Sequence, residues 1–161
     1  MNLYKAIFRG STKFVLDYEK MIFLDAENLA EAGIKRAYAR KIVPRLGEYV
    51  SEIAEVQEII DNSAPSYSVT CGGLEYAIYA PGLPDQEGQS WGRATHALFE
   101  LVNAQLVKSE YRLYAVNGGN DLGGIFLTQS ECDSARRALP RKDDWPYLPT
   151  LEHPWYGQFH G

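Results

Sequence analysis

Two glycine-centred turns constrain the fold of this chain more than any other feature of its sequence. Gly72-Gly73 forms one turn, and Asn117-Gly118-Gly119-Asn120 forms the other. Each turn joins two apolar stretches: Tyr67–Cys71 to Leu74–Ala80, and Tyr111–Val116 to Leu122–Leu127. Because hairpin turns need backbone positions with positive φ, which glycine adopts without strain, both segments predict antiparallel β-hairpins. Gly118 is expected to occupy such a position.

A helix is predicted from Ala26, where Asp25 is placed to accept hydrogen bonds from the first turn. Small residues recur at three- and four-residue steps as far as Tyr38, which gives a narrow face suited to packing against a sheet. The helix is expected to end by Ile42–Val43, because Pro44 disfavours α geometry in the residue before it.

Two further helices follow from periodicity and capping. Trp91–Val107 carries apolar residues at helical spacing, with the tryptophan at its start. Thr128 and Glu131 have the spacing of a capping box, which opens a shorter helix that reaches about Ala138. Pro140 is expected to terminate that helix.

The strands of the N-terminal half are less regular. Leu3–Phe8 and Lys20–Leu24 are predicted strands, and Phe14–Tyr18 is a candidate third strand. The stretch 47–61 fits a strand face and a helix face equally well. We favour a strand at Tyr49–Gln57, because it would complete a strand–helix–strand unit.

The order of these elements indicates an α+β fold. Hairpins alternate with helices but show no regular βαβ repeat, so the sheet is expected to be antiparallel with two or three helices packed on it. A length of 161 residues fits a single domain over 1–161. Its last part, about 140–161, is an irregular tail rich in proline and aromatic residues.

The charge balance narrows the partners that the chain is expected to bind. The net charge of −5 and the sequence pI near 5.2 disfavour nucleic acid, whose phosphates would be repelled. An acidic surface instead attracts basic proteins. The expected partner is therefore a basic protein, and the chain itself is expected to be a monomer or a homodimer.

The compartment is inferred from what the sequence lacks. Its first residues contain no apolar run typical of a signal peptide, and no stretch approaches the ~20 apolar residues of a membrane span. Cys71 and Cys132 lie far apart in the sequence and outside any C-x-x-C pattern. We therefore expect a cytoplasmic protein with reduced thiols and no membrane association.

One catalytic hypothesis comes from these residues. Cys71 precedes two glycines at a strand end, where a nucleophile could sit with His96 as its base, as in a small hydrolase. Free cysteine is, however, among the most buried residue types and usually only packs. We therefore favour a protein without catalytic residues over the cysteine-dependent hydrolase.

The histidines and one pair of glycines are the candidates for a metal site and a ligand site. His96, His153 and His160 show no paired spacing that would hold zinc, so no metal and no cofactor are expected. Gly123-Gly124 lies inside a predicted strand, where glycine marks a bulge or a close backbone approach. The alternative is a small-ligand regulatory module whose pocket lies beside these two glycines.

Two sets of residues predict a protein-binding surface instead. The first is a group of acids with no base among them: Glu48, Glu52, Glu55, Glu58 and Asp61. The second is a group of tail aromatics of the types that anchor interfaces: Trp145, Tyr147 and Trp155. Five bases precede the acids in the sequence, so mutual neutralisation of the two charged stretches is the alternative.

The segment Tyr111–Thr128, followed by Asp144–Pro149, resembles the immunity proteins that bacteria keep against their own secreted or contact-dependent toxins. The resemblance covers the C-terminal third of the chain and includes no diagnostic motif, so it assigns no individual functional residues. It implies a small, cytoplasmic, acidic protein that binds a basic toxin domain of the nuclease type and neutralises it.

Overall fold

The hairpins expected around the two glycine turns are present in the computed structural model, which describes residues 3–8, 11–86 and 88–161. The α+β class is confirmed, and the strands pair in antiparallel fashion throughout the described chain. In chain order they are β1 (Leu3–Phe8), β2 (Ser11–Leu16), β3 (Ile22–Phe23), β4 (Val56–Asp61), β5 (Ser66–Cys71), β6 (Leu74–Tyr79), β7 (Tyr111–Val116) and β8 (Gly123–Thr128). The hairpins are distributed over three sheets, with strand orders β1-β2, β3-β8-β7 and β4-β5-β6.

The predicted helix from Ala26 is a broken helical segment over 26–46. Its regular parts are α1 (Ala26–Asn28), α2 (Ile34–Ala37) and α3 (Val43–Leu46), joined by wide helical turns. Ala32 adopts a left-handed conformation with φ +62°, which interrupts the helix before α2. A side chain at Gly33 would collide with the carbonyl oxygen of Asn28, so the chain can close this tightly only with glycine there.

The predicted cap of this segment is confirmed, but its predicted end is wrong. The Asp25 carboxylate accepts hydrogen bonds from the backbone N–H groups of Glu27 at 3.0 Å and Asn28 at 3.4 Å. Pro44 does not stop the helix, because it lies in the first turn of α3. In that position the missing N–H of proline costs no hydrogen bond.

The other two helices match their predictions closely. α4 (Gln89–Asn103) continues into a 3-10 turn that ends at Leu106. The apolar face of α4 is buried, as its helical spacing predicts. α5 (Gln129–Ala138) begins with a reciprocal capping box: Thr128 Oγ1 accepts from the Glu131 N–H at 3.1 Å, and Glu131 Oε1 accepts from the Thr128 N–H at 2.9 Å. The helix ends before Leu139, as the following proline predicts.

The strand predicted at Tyr49–Gln57 is wrong over most of its length, because β4 begins only at Val56. Side chains of the helices bind the backbone at Ala54 and replace strand pairing there. The Tyr38 hydroxyl donates to the Ala54 carbonyl at 2.7 Å, and Gln105 Oε1 accepts from the Ala54 N–H at 2.9 Å. The alternative of a helix over 47–61 is likewise not adopted.

The strands before residue 25 are also shifted. The predicted strand Lys20–Leu24 is reduced to the two residues of β3, because Tyr18–Lys20 forms a 3-10 turn capped by the Asp17 carboxylate. The candidate strand Phe14–Tyr18 is replaced by β2, which ends at Leu16.

The two glycine turns differ in geometry. Gly72 and Gly73 both have positive φ, as a tight hairpin requires. In the second turn Gly118 is extended, with φ −164°, so the expected positive φ is wrong at that position. Asn117 and Gly119 have positive φ instead, and a 3-10 turn completes the connection to β8.

The β3-β8-β7 sheet is the central layer, and its two faces pack into separate hydrophobic clusters. One face, with Leu113, Ala115 and Phe126, lies in the cluster that contains α4, the helical segment 26–46 and the inner face of the β4-β5-β6 sheet. The opposite face lies in a smaller cluster with Cys132 and Ala135 of α5. The central strands are therefore buried on both sides.

Tyr67 connects the helical segment to the β4-β5-β6 sheet. Its hydroxyl accepts from the Ile34 N–H at 3.2 Å and donates to Glu58 Oε2 at 2.7 Å. The side chain is fully buried, and burial, together with the hydrogen bond to Glu58, raises the pKa of the phenol. One hydroxyl thus provides an acceptor for the first N–H of α2 and a donor for a carboxylate of β4.

We predict that Tyr67→Phe lowers the free energy of unfolding by about 1–3 kcal/mol, because the variant leaves a buried N–H and a half-buried carboxylate unpaired. Urea unfolding measures the loss. Tyr79→Phe is the matched control, since the Tyr79 ring is 5.9 Å from that of Tyr67 and its hydroxyl has no hydrogen bond within the described residues. Equal stabilities of the two variants would contradict this role of Tyr67.

Candidate functional site

Cys71 and His96, the two residues of the catalytic hypothesis, show no sign of mutual activation. Cys71 is buried at the end of β5, and burial raises the pKa of its thiol. Burial also lowers the pKa of His96, whose ring lies 6.5 Å from that of Tyr76. Among the described residues no hydrogen bond joins the thiol to the imidazole. The geometry therefore gives Cys71 the surroundings of a packed core residue.

The histidines are dispersed. His153 and His160 both lie in the tail, but they contact different aromatic rings: His153 packs edge-on against Tyr156, and His160 stacks on Trp155. Within the part of the chain that the structure describes, no group of three or more His, Cys, Asp or Glu side chains is arranged to hold a metal ion.

Gly123 and Gly124 mark a close approach of packed elements. A side chain at Gly123 would overlap the thioether of Met21. A Cβ at Gly124 would lie 3.2 Å from Leu113 Cδ1 and 3.4 Å from Phe99 Cζ. Protein side chains thus occupy the space beside both glycines, which the sequence alone left open as a ligand site.

The tail aromatics fall into two classes. Tyr147 is buried, forms an antiparallel bridge with Ala115 at the edge of β7, and donates its hydroxyl to the Asn117 carbonyl at 2.6 Å. Trp145 is half-buried, with its indole N–H on the Leu139 carbonyl. Trp155 is 51% exposed. Of the three predicted anchors, Trp155 therefore presents the most surface to a partner.

A groove of about 480 Å³ lies between the start of α4, the turn after β7 and the tail. Its acids are Asp121, Asp143 and Asp144, and its aromatic walls include Trp155 and Tyr147. Arg141 also lines it and forms an exposed ion pair with Asp143 at 3.7 Å. The groove joins the two segments that carry the resemblance to immunity proteins, a proximity that sequence spacing does not reveal.

The five predicted acids do not form one continuous row. Glu58 is bonded to the Tyr67 hydroxyl inside the fold, and Asp61 accepts from the N–H and hydroxyl of Ser63 in the turn after β4. The hydrogen bonds of Ser63 lower the pKa of Asp61. Glu48, Glu52 and Glu55 are exposed in the segment that leads into β4. These three carboxylates are the freely presented part of the predicted group.

Two of the five bases that precede the acids are hydrogen-bonded to residues of the N-terminal part of the chain. Lys41 donates to the Phe23 carbonyl of β3 at 2.7 Å, and Arg45 donates to the Lys20 carbonyl in the 3-10 turn before it at 3.0 Å. No ion pair within 4.0 Å connects the basic stretch with the acidic one in the described residues. The interpretation of two mutually neutralised faces is therefore not supported by these contacts.

The acidic character extends well beyond the five acids. From 46 to 92 the chain contains eight Asp and Glu residues and no Lys, Arg or His. This range includes the whole β4-β5-β6 sheet, its connections and the acidic segment before it. The sheet therefore has no basic side chain of its own, although the complete chain is only moderately acidic. A count over the full range, rather than over 48–61, would have revealed this feature from sequence.

Comparison with known proteins adds no assignment: no family model matches the chain, and neither a curated protein nor a solved structure is detectably similar to it. In the described residues, no helix has the length and apolar character needed to cross a membrane. The candidate site is thus defined by the molecule's own geometry and charge.

We predict that both cysteines react slowly in the native protein, because burial raises their thiol pKa values and lowers the fraction of reactive thiolate at pH 8. Alkylation by iodoacetamide, followed by mass spectrometry of the Cys71 and Cys132 peptides, should be roughly tenfold or more slower than in urea. Rapid native labelling of Cys71 alone would instead indicate an activated nucleophile and would favour the hydrolase.

Proposed function

We propose that the protein is an immunity protein, which binds a basic toxin domain and blocks its active surface. The observation that carries the proposal is the segregation of charge: the range 46–92, which contains the β4-β5-β6 sheet and the segments that flank it, holds eight acids and no base. A surface of one charge sign attracts an oppositely charged protein and orients it during approach. The resemblance of Tyr111–Thr128 and Asp144–Pro149 to immunity proteins supports the same class of partner.

The exposed acids support electrostatic attraction rather than internal stability. Glu48, Glu52 and Glu55 make no hydrogen bond and no ion pair with another described side chain, and all three are exposed. Like charges close together lower stability when nothing neutralises them. A basic partner would remove that repulsion on binding.

We predict that Glu52→Lys combined with Glu55→Lys lowers the association rate with the toxin domain on the order of tenfold at low salt, and flattens its salt dependence. The partner to test is the product of the adjacent gene, and surface binding kinetics at two salt concentrations measure the rate. Glu58 is left unchanged because it is bonded to Tyr67.

The matched control is Glu110→Lys combined with Glu152→Lys, which changes the net charge equally at exposed positions outside 46–92. An equal effect of both pairs would mean that net charge alone attracts the partner. Absence of binding by the unchanged protein would contradict the proposed function.

We predict that Trp155→Ala raises the dissociation rate, because an exposed aromatic residue beside a groove has the character of an interface anchor. The expected cost is about 2 kcal/mol of binding free energy. Leu151→Ala is the control, since Leu151 is 59% exposed in the same tail and does not line the groove. Unchanged dissociation in the Trp155 variant would exclude this residue as an anchor.

The second candidate function is a small-ligand regulatory module. The groove of about 480 Å³ favours it, because ligand sites in proteins have volumes of roughly 300–1,000 Å³ and combine aromatic walls with a few polar groups. The carboxylates of Asp121 and Asp144 would suit a cationic ligand. Native mass spectrometry of the purified protein tests this function: a retained small molecule that is lost in Trp155→Ala supports it, and a mass equal to that of the bare chain contradicts it.

A further inference from the structure

β4 is an edge strand with one unpaired side. It pairs with β5 at six positions without a register shift, and the sheet order places no strand on its other side. Within the described residues, its outward backbone groups have no hydrogen-bond partner. The opposite edge differs, because Arg93 on α4 donates to the Ile78 carbonyl of β6 at 2.6 Å.

This edge lacks most devices by which proteins prevent strand pairing. Natural edges are blocked by lysine, proline, bulges or very short strands. β4 has six residues, no proline, no lysine and no bulge. Ile59 and Ile60, which point to opposite faces of the strand, are both 48% exposed. The charges that remain are acidic, so they would repel an acidic strand and attract a basic one.

An apolar groove opens beside the start of β4. It has a volume of about 420 Å³ and lies between the helical segment 26–46 and residues 53–57. Its apolar walls come from Ala39 and Val43 on one side and from Ile53 and Val56 on the other. One charged residue of each sign also lines the groove: Lys35 on the helical side and Glu55 beside the start of β4. A strand added to β4 would direct alternate side chains into this groove, where an apolar residue would fit.

We propose that β4 receives a basic β-strand of the partner protein by edge-to-edge addition, with an apolar side chain of that strand seated in the groove. The inference rests on the proposed function for the charge of the partner. In this mode, main-chain hydrogen bonds supply affinity and the groove supplies selectivity. Glu55 and Asp61, at the two ends of the strand, are placed to meet lysine or arginine side chains of the added strand.

A second copy of this chain is a poorer occupant of the same edge. Pairing of β4 with its own copy would bring together two strands that carry acids and no base, including both copies of Glu55 and Asp61. Like charges across neighbouring strands are destabilising. Charge complementarity therefore selects a basic strand.

The first test uses peptides of defined chemistry on the intact protein. The probe is a blocked nine-residue peptide of alternating valine and lysine, with two controls: the same peptide N-methylated at every residue, which removes the donors of both strand edges, and a valine–glutamate peptide. We expect the first to bind, the N-methylated form to bind roughly tenfold or more weakly because it loses backbone donors, and the acidic peptide not to bind. Equal binding of the N-methylated peptide, or no binding of the probe, would overturn strand addition.

Hydrogen exchange locates the bound peptide. We expect the amides of Val56–Asp61 to gain protection on binding, with no change in Leu74–Tyr79. Ala39→Trp should fill the groove and weaken the probe roughly tenfold, whereas Ala77→Trp, at an exposed position of β6, should not. Protection confined to another element would overturn the inference.

The same measurements separate this inference from the proposed function. If the toxin domain binds with the predicted charge dependence but leaves the amides of β4 unprotected, edge addition is wrong and the proposed function stands. If the toxin domain does not bind while the peptide protects β4, the edge is a strand receptor for a different basic protein. Failure of both results overturns both proposals.

Discussion

The hydroxyl of Tyr67 is the contact on which the arrangement of the candidate surface depends. The helical segment breaks at Ala32 and begins again at Ile34, where a helix start leaves backbone N–H groups to be satisfied. Tyr67 satisfies one of them and binds Glu58 of β4 with the same oxygen. The restart of the helix and the edge strand are thereby fixed relative to each other. Because Ala39 and Val43 follow in the same segment, this contact also sets the width of the apolar groove beside β4.

The β3-β8-β7 sheet positions the aromatic tail. Gly123 and Gly124 let β8 lie against Met21 and Phe99 at distances that a side chain would prevent. The tail then extends the sheet at β7 through the backbone of Tyr147, whose hydroxyl binds the turn after that strand. Burial raises the pKa of this phenol, in agreement with a structural position. Tyr147, whose residue type is common among interface anchors, therefore contributes chiefly to the fold.

Sequence patterns predicted the structure correctly where backbone groups are hydrogen-bonded by residues close to them in sequence. The patterns failed where side chains from distant parts of the sequence bind the backbone. The capping box at Thr128, the cap at Asp25 and the glycine turn at Gly72 each act within a few residues, so the sequence reveals them. The late start of β4 depends on Tyr38 and Gln105, which bind Ala54 from far along the chain. The groove between turn and tail likewise has no local pattern. The acidic character of the candidate surface was readable in sequence, whereas its organisation around an edge strand was not.

The separation of charge along the chain has a further physical consequence. All 16 Lys and Arg residues lie outside 46–92, together with only 13 of the 21 acids, so the remainder of the chain is weakly basic. A molecule with an acidic sheet and a basic remainder has an electric dipole as well as a net charge. In the field of a charged neighbour, such a molecule experiences a torque that turns one end towards the neighbour before contact. Its orientation at first encounter is then set by the dipole, and the number of unproductive collisions falls without any change in the contacts of the final complex.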